Sequence, residues 1–522
     1  MTQSGYYLFP VIFCSCLFFF FSLISAPVSA FTMPDCPECG MVWSDTCEPF
    51  ETNNETAYNE QLTAAFSSVS ANVTPVPDLS NQSWTDAFLT VHNLLKERYA
   101  FSSRKAVDWD RLYNTYSPKI VDAEARNDSA SYYRTIREYL FSIPDGHINV
   151  LSENGDFGAR YTDIGGGYGI TVNLLDSGKC IISYVAHGSE AEKKGLKPGD
   201  VVTAWNGKEI HDAINETPYI WATKKPSTSE GIFLHQQRFL TRGPVGSQVT
   251  ISVISPEKGS ETIHLTGYDD RYDTVNRSSF FLGKNINDYG IENTLFDIKP
   301  QISNDSVTVR TLPGGYTYIA LYEESYDVYQ PFKSAMVSAM SNNTPGIVLD
   351  LRFNGGGDDN LASCIAGWFA KEPVFYEFAT TYDPGLHNDT IISAACTKPR
   401  PRIYEGPVVV MVSPDTISSG EGVPMVMNKT ARGKIISWYG TDGAFGMVTA
   451  AAILPLDLEI LYPDGASLDE NKKIQVDSDS TGIGGIAPHV RVPMNEDTIT
   501  RGMAGEDVQL MYALKYLEDN KN

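Results

Sequence analysis

Val408-Val409-Val410-Met411-Val412-Ser413-Pro414-Asp415-Thr416-Ile417-Ser418-Ser419-Gly420-Glu421-Gly422 decides how the second half of the chain is read. Five consecutive apolar residues suit a strand buried on both faces, the kind found in parallel sheets covered by helices. A serine between such a strand and a helix start has the geometry of a nucleophile. The positive end of the helix and the following N–H groups stabilise negative charge beside it. Ser418 could instead cap the helix, a role serines often fill. Upstream, Leu349-Asp350-Leu351-Arg352-Phe353-Asn354-Gly355-Gly356-Gly357 is a second strand that empties into a glycine loop. Its N–H groups could hold an anion or a tetrahedral oxyanion. A phosphate loop requires a downstream Lys-Ser/Thr, and Asp358-Asp359 stand there instead, which argues against nucleotide binding.

Around these two segments strands and helices alternate. Tyr316 to Leu321, Gly346 to Leu351 and Pro407 to Val412 read as strands; Tyr329 to Met340, Asp359 to Phe369 and Ser419 to Met427 read as helices. Residues 280–522 are therefore expected to form an α/β domain with a parallel-rich sheet, its site at the carboxyl ends of the strands. Nearer the N-terminus, Phe88, Val91, Leu94, Leu95 and Tyr99 recur at helical spacing, and Asp108 to Ala125 and Ser129 to Phe141 continue a helical domain over 81–160. It stops at the turn Pro144-Asp145-Gly146.

Residues 165–269 differ. Gly165-Gly166-Gly167-Tyr168-Gly169-Ile170 runs into a strand, Cys180 to Val185 makes another, and Gly195-Leu196-Lys197-Pro198-Gly199-Asp200 and Asn206-Gly207 are turns. This β-rich order resembles a circularly permuted PDZ domain. Such a domain captures a peptide as an added strand.

With these segments in place, "LDLRFNGGG" followed by "PVVVMVSPDTISSGEG" resembles the tail-specific (C-terminal processing) protease superfamily, over roughly residues 84 to 520. The resemblance implies a ClpP/crotonase-like catalytic domain with Ser418 as nucleophile, Ser419 as the fallback, and the N–H groups of Gly355, Gly356 and Ser419 as oxyanion donors. One branch uses a lysine after the nucleophile helix; Met447 stands there, leaving Lys429 and Lys434 as remote candidates. Asp145-Gly146-His147 resembles the Ser/His branch typified by the tricorn core, which makes His147 the base. An imidazole, with an ordinary pKa near 6.5, can both accept and return a proton at neutral pH. That branch's third residue is a glutamate, but Gly482 lies about where it is expected, so Asp477 or Asp479 is assigned to orient the histidine.

Tyr7 to Ala26 is almost wholly apolar and ends in Val28-Ser29-Ala30, so residues 1–30 are expected to be a cleaved signal peptide, with an uncleaved membrane anchor as the alternative. Either places the rest of the chain outside the cytoplasm. A polar leader follows over 31–80. Cys36, Cys39, Cys47, Cys180, Cys364 and Cys396 then read as disulfide formers, Cys364 with Cys396 being a plausible bridge. Ten Asn-x-Ser/Thr sequons fit a glycosylated secreted protein. The net charge of -24 argues against a nucleic-acid partner. No metal, nucleotide or organic cofactor is implied. The reading is an exported serine endopeptidase acting on proteins or peptides; the alternative is a non-catalytic protein of the same fold that binds peptide or an apolar ligand.

Overall fold

The computed structural model describes residues 76–278 and 307–520 apart from Pro384, His387 and Thr449, with strand pieces at Asp35–Cys36, Met41–Val42 and Ile302–Ser303. Residues 1–30, most of the leader and the side chains of Cys36, Cys39 and Cys47 lie outside the described residues.

Three helices open the described chain: α1 (Trp84–Arg98), α2 (Trp109–Ala125) and α3 (Ser129–Phe141). Ser83, Asp108 and Asp128 cap them by accepting a backbone N–H of the first turn. Their apolar stripes, with Phe88, Val91, Leu95, Leu112 and Ile136 at 4% exposure or less, meet in one core. After the Pro144–His147 turn comes β1 (Asn149–Ser152). Its neighbour in space comes from far downstream and is described below.

The PDZ-like region is a sheet of β2 (Ile170–Leu174), β3 (Cys180–Val185), β4 (Val201–Trp205), β5 (Gln248–Ser255) and β6 (Gly259–Thr266) in the order β6-β5-β4-β3-β2. Asn206 and Gly207, at φ 49° and 78°, make the expected left-handed hairpin turn. Between β4 and β5 lie α4 (Ile210–Asn215) and α5 (Ser229–Leu240). At the end of edge strand β2 the Leu174 N–H already donates to Gln237 Oε1 of α5 at 2.7 Å. Cys180 is a correction to the disulfide expectation. It faces Leu174 and Val202 in the sheet and is a free, buried thiol, pushed by burial up to about 12.

The third region contains β7 (Ile302–Ser303), β8 (Val307–Thr311), β9 (Thr317–Leu321), α6 (Tyr326–Ser341), β10 (Ile347–Asp350), α7 (Asp359–Ala366), β11 (Val374–Asp383), β12 (Asn388–Thr397), β13 (Val408–Met411), α8 (Ser419–Lys429), β14 (Lys434–Ser437), β15 (Ala450–Leu454), β16 (Leu458–Tyr462), β17 (Val490–Arg491), α9 (Glu496–Met503) and α10 (Val508–Asp519). Its main sheet runs β7-β8-β9-β10-β13-β14-β17, with every pairing from β9 to β17 parallel. Both β10 and β13 are buried along their whole length, as continuous apolar strands require. Cys364 is disulfide-bonded, but to a residue other than Cys396.

Two junctions hold the regions together. The hairpin β15–β16 leaves the main sheet, and β16 pairs antiparallel with β1, Ile460 opposite Val150. Ala452, Leu454, Leu458, Ile460 and Tyr462 of this hairpin belong to the helical core. Leu175, Ile181 and Leu234 of the PDZ-like region share a second core with Trp438, Val492 and Met494.

The strand-to-loop segment is also pinned electrostatically. Arg352, 3% exposed, donates from Nη2 to Asp350 Oδ2 and to Asp507 Oδ2, each at 2.6 Å, tying β10 to the start of α10. Removing one member of a buried pair strands the other charge. Arg352→Ala is expected to cost about 3–5 kcal/mol, read as a lowered denaturant midpoint; a loss under about 1 kcal/mol would show the carboxylates to be satisfied without it.

Candidate active site

Ser418 stands at the turn between β13 and α8 with φ 60° and ψ −138°, a conformation costly for any side chain. It occupies the N-cap position, yet its hydroxyl makes no cap hydrogen bond. The capping alternative therefore fails, and Oγ is left available. Its backbone is held on both sides: its N–H donates to Ala444 O at 2.9 Å, and its carbonyl accepts from Glu421 N at 2.7 Å. Ser419 is 1% exposed and its hydroxyl donates to Gly357 O at 2.8 Å, so the fallback nucleophile is committed elsewhere.

Glu421 explains why Ala444 is in place. Fully buried, it accepts from Thr441 Oγ1 (2.5 Å), Gly443 N (2.9 Å) and Ala444 N (2.9 Å). Burial, reinforced by the nearby Asp442, holds its carboxyl well above the usual range.

The glycine loop lies directly against the nucleophile. A Cβ at Gly356 would come within 2.5 Å of Ser418 Cβ, and Gly356 adopts φ 85°, so only glycine fits. Its hydrogen bonding corrects the expected oxyanion pair. Gly355 N–H donates to Tyr322 O at 2.8 Å and Gly356 N–H donates to Asn354 Oδ1 at 2.9 Å, so both are spent inside the loop. Among the described residues the N–H groups of Gly357 and Ser419 have no acceptor.

The Pro144–His147 turn is carried to this place by β1. Gly146 N–H donates to Ser227 Oγ at 2.7 Å, and Ser227 Oγ donates to Asp442 Oδ2 at 2.7 Å. A Cβ at Gly146 would lie 2.6 Å from Ile417 Cδ1 and 2.4 Å from Asp442 Oδ2, so the turn packs on the residue preceding Ser418. His147 follows, its own N–H donating to Asp145 Oδ1 at 2.9 Å. Both ring nitrogens are buried and without a hydrogen-bond partner. The two segments meet, but the expected contact between imidazole nitrogen and Ser418 hydroxyl is not made. Catalytic hydrogen bonds in unliganded enzymes are often open and tighten on substrate binding. Burial pushes the imidazole below its ordinary pKa; Asp145 opposes that and Lys105 adds to it.

The two candidate acids separate cleanly. Asp479 closes its own turn, accepting from Thr481 N (2.8 Å), Thr481 Oγ1 (2.6 Å) and Ile483 N (3.2 Å), and is not the orienting acid. Asp477 is fully buried: Oδ1 accepts from Phe445 N at 3.0 Å and Oδ2 has no partner. Burial and then Asp145 raise it to about 8. Asp145, whose charge acts on both His147 and Asp477, accepts from Tyr99 OH at 2.6 Å. Burial works to raise Asp145, but Lys105, His147, the Tyr99 hydroxyl and Lys225 outweigh it and hold it below the usual range.

Several contributors carried no sequence signal. Lys105 Nζ donates to Pro144 O (2.8 Å) and Ser478 Oγ (2.6 Å), and Ser478 Oγ donates to Ser227 O (2.8 Å). Lys225, pushed by burial down to about 7, donates to Leu140 O at 2.6 Å. Lys429 is turned away, donating to Phe375 O (3.3 Å) and Gln475 Oε1 (3.1 Å), and Met447 N–H is paired with Gly465 O.

Residues 160–228 match the PDZ domain model, and residues 315–492 match the model of peptidase family S41. The chloroplastic C-terminal processing peptidase of Tetradesmus obliquus is 23% identical over 274 residues, 52% of this chain and 50% of that protein. Through these matches the chain is similar to the C-terminal processing proteases. It spans about half the length of that curated relative. Solved structures of mature CPAF, alone and complexed with lactacystin, superpose with TM-scores of 0.57 and 0.55 at 13% identity, covering 84% of this chain and 98% and 99% of theirs. They share the fold. The segment matched to family S41 holds Ser418, Glu421 and the glycine loop, and His147 lies outside it, on the turn whose Gly146 packs against Ile417.

A capping serine and a strained one respond oppositely to substitution. Ser418→Ala is expected to change stability by less than about 0.5 kcal/mol, since no cap bond is lost. Ser418→Gly should be more stable than Ser418→Ala by about 1 kcal/mol, because glycine holds this backbone without strain. Chemical denaturation of both variants checks this; a loss of about 1 kcal/mol in Ser418→Ala with a loss of a few tenths in Ser418→Gly would restore the capping role.

Proposed function

We propose that the chain is an exported serine endopeptidase in which Ser418 is the nucleophile and His147 the base. The observation that carries the reading is the strained, uncapped Ser418 beside unspent Gly357 and Ser419 N–H groups, with an unpartnered imidazole on the turn packed against Ile417. In the reaction, Ser418 Oγ attacks the scissile carbonyl as His147 takes its proton. Gly357 and Ser419 N–H groups donate to the oxyanion, replacing Gly355 and Gly356 in that role. Collapse expels the amine, which receives the proton from His147, and water then releases the acyl group by the same route. Asp477, whose Oδ2 is buried and unsatisfied, is assigned to accept from the imidazole N–H once the ring turns toward Ser418. Glu421 and Asp442 position the loop and the turn without touching substrate.

Polypeptide as substrate is inferred from the likeness to peptidase family S41 and from the PDZ match. Export rests on the apolar run before residue 30 and gains support from a disulfide at Cys364, since structural disulfides persist in oxidising compartments. A non-catalytic binding protein on the same fold is the second reading.

A fluorophosphonate probe distinguishes them. It is expected to label the wild type, to fail on Ser418→Ala, and to react about 10²–10⁴-fold more slowly with His147→Ala. No labelling of the wild type would favour the binding protein. Because burial lowers the His147 pKa, kcat/KM should rise with pH as the ring loses its proton, with a midpoint below about 6.5. A midpoint at or above about 7 that disappears in Lys225→Met would transfer the base role to that lysine.

A further inference from the structure

The segment between α4 and α5, residues 216–228, leaves the PDZ-like sheet and reaches the active site. Two of its side chains turn inward and fix it: Lys225 Nζ donates to Leu140 O at 2.6 Å, and Ser227 donates from N and Oγ to the two carboxylate oxygens of Asp442 at 3.1 and 2.7 Å. Lys224, between them and the α4 side, points the other way. It is half-buried, and its Nζ donates to Asp415 O at 2.8 Å, three residues before Ser418. A Cβ built on Gly355 would lie 3.8 Å from Lys224 Nζ, with Tyr322 O the only other heavy atom within 4 Å. The ammonium group thus stands over an open part of the glycine loop whose next turn faces the nucleophile.

One carbonyl satisfies one of its three donors. Among the described residues no carboxylate lies within 4.0 Å of Lys224 Nζ, although the chain carries 64 acidic side chains against 40 Lys and Arg. The Lys105 and Lys225 ammonium groups are enclosed and face inward. Lys224, by contrast, holds its ammonium group against the glycine loop.

We propose that Lys224 is a specificity residue that pairs with a carboxylate of the polypeptide substrate beside the scissile bond. The carboxylate could come from an Asp or Glu side chain or from the substrate's C-terminus, and the shared chemistry is a charge-assisted hydrogen bond to a fixed ammonium. The inference rests on the protease reading. The tethers at Lys225 and Ser227 make the backbone position of Lys224 part of the folded scaffold, so less ordering entropy opposes the contact.

The test compares kcat/KM for peptide pairs that differ only in charge, Glu against Gln near the cleaved bond and free acid against C-terminal amide, on wild type, Lys224→Met and Lys224→Glu. Wild type should favour the carboxylate member of one pair by about tenfold, shrinking with added salt. The pair that responds identifies the source. In Lys224→Met the ratio should fall to near one, and in Lys224→Glu it should invert, with a Lys-bearing peptide now preferred. Thermal melts of the variants check that they fold. Equal cleavage of both members of both pairs by wild type would overturn the assignment while leaving the protease intact. Absence of any cleavage together with absence of fluorophosphonate labelling would sink the protease reading and this inference with it.

Discussion

The site exists because a buried polar relay, Gly146 N–H to Ser227 Oγ to Asp442 Oδ2, joins three distant parts of the chain. Ser227 and Asp442 in it are removed from water, so leaving either unpaired would cost more than a surface hydrogen bond contributes. Asp442 takes both Ser227 donors, yet burial still lifts it to about 7, which shows how dry the junction is. Lys105 and Ser478 brace the same junction from the other side. A relay of this kind acts only if the surrounding apolar frame is rigid. That frame is the β1–β16 pairing, which places His147 two residues before a strand locked into the β15–β16 hairpin.

The division between what the residues announced and what they concealed follows from range. Strand, loop and helix around Ser418 and Gly355–Gly357 were legible because apolar runs and glycine turns are local grammar. His147 and Asp477 were legible only through resemblance, and the place of His147 depends on a hairpin pairing that no local pattern encodes. Of the expected oxyanion donors Ser419 keeps a free N–H, but Gly355 and Gly356 do not, because counting glycines does not show which amide is already used; Tyr322 and Asn354 take those two. Asp479 carried a readable counter-signal: an aspartate two residues before a threonine and three before a glycine is an Asx turn, which engages its own carboxylate. Cys180 was misread because cysteine parity ignores where a thiol falls in a sheet. Nothing in the sequence pointed to Lys105, Ser227 or Asp442, which are ordinary polar residues until the fold brings them together.

The same range argument bears on the PDZ-like domain. A module that gates by swinging away must expose little apolar surface when it moves. Here Leu175, Ile181 and Leu234 are built into a core with Trp438, Val492 and Met494, and Asp176 exchanges two hydrogen bonds with Met494, at 2.9 and 2.8 Å. Glu230 adds contacts to Arg491 and to Gly440 N. At about 25 cal/mol per Å² of apolar surface, separating such a face is a large fraction of a domain's net stability. The end of its edge strand is also closed, since Gln237 occupies the Leu174 N–H that an added peptide strand would seek. The domain is therefore packed as a fixed part of the fold around the candidate site. Residues 216–228 carry Ser227 to Asp442 and Lys224 to the glycine loop, so one stretch of chain joins the PDZ-like region both to the turn that bears His147 and to the loop beside Ser418.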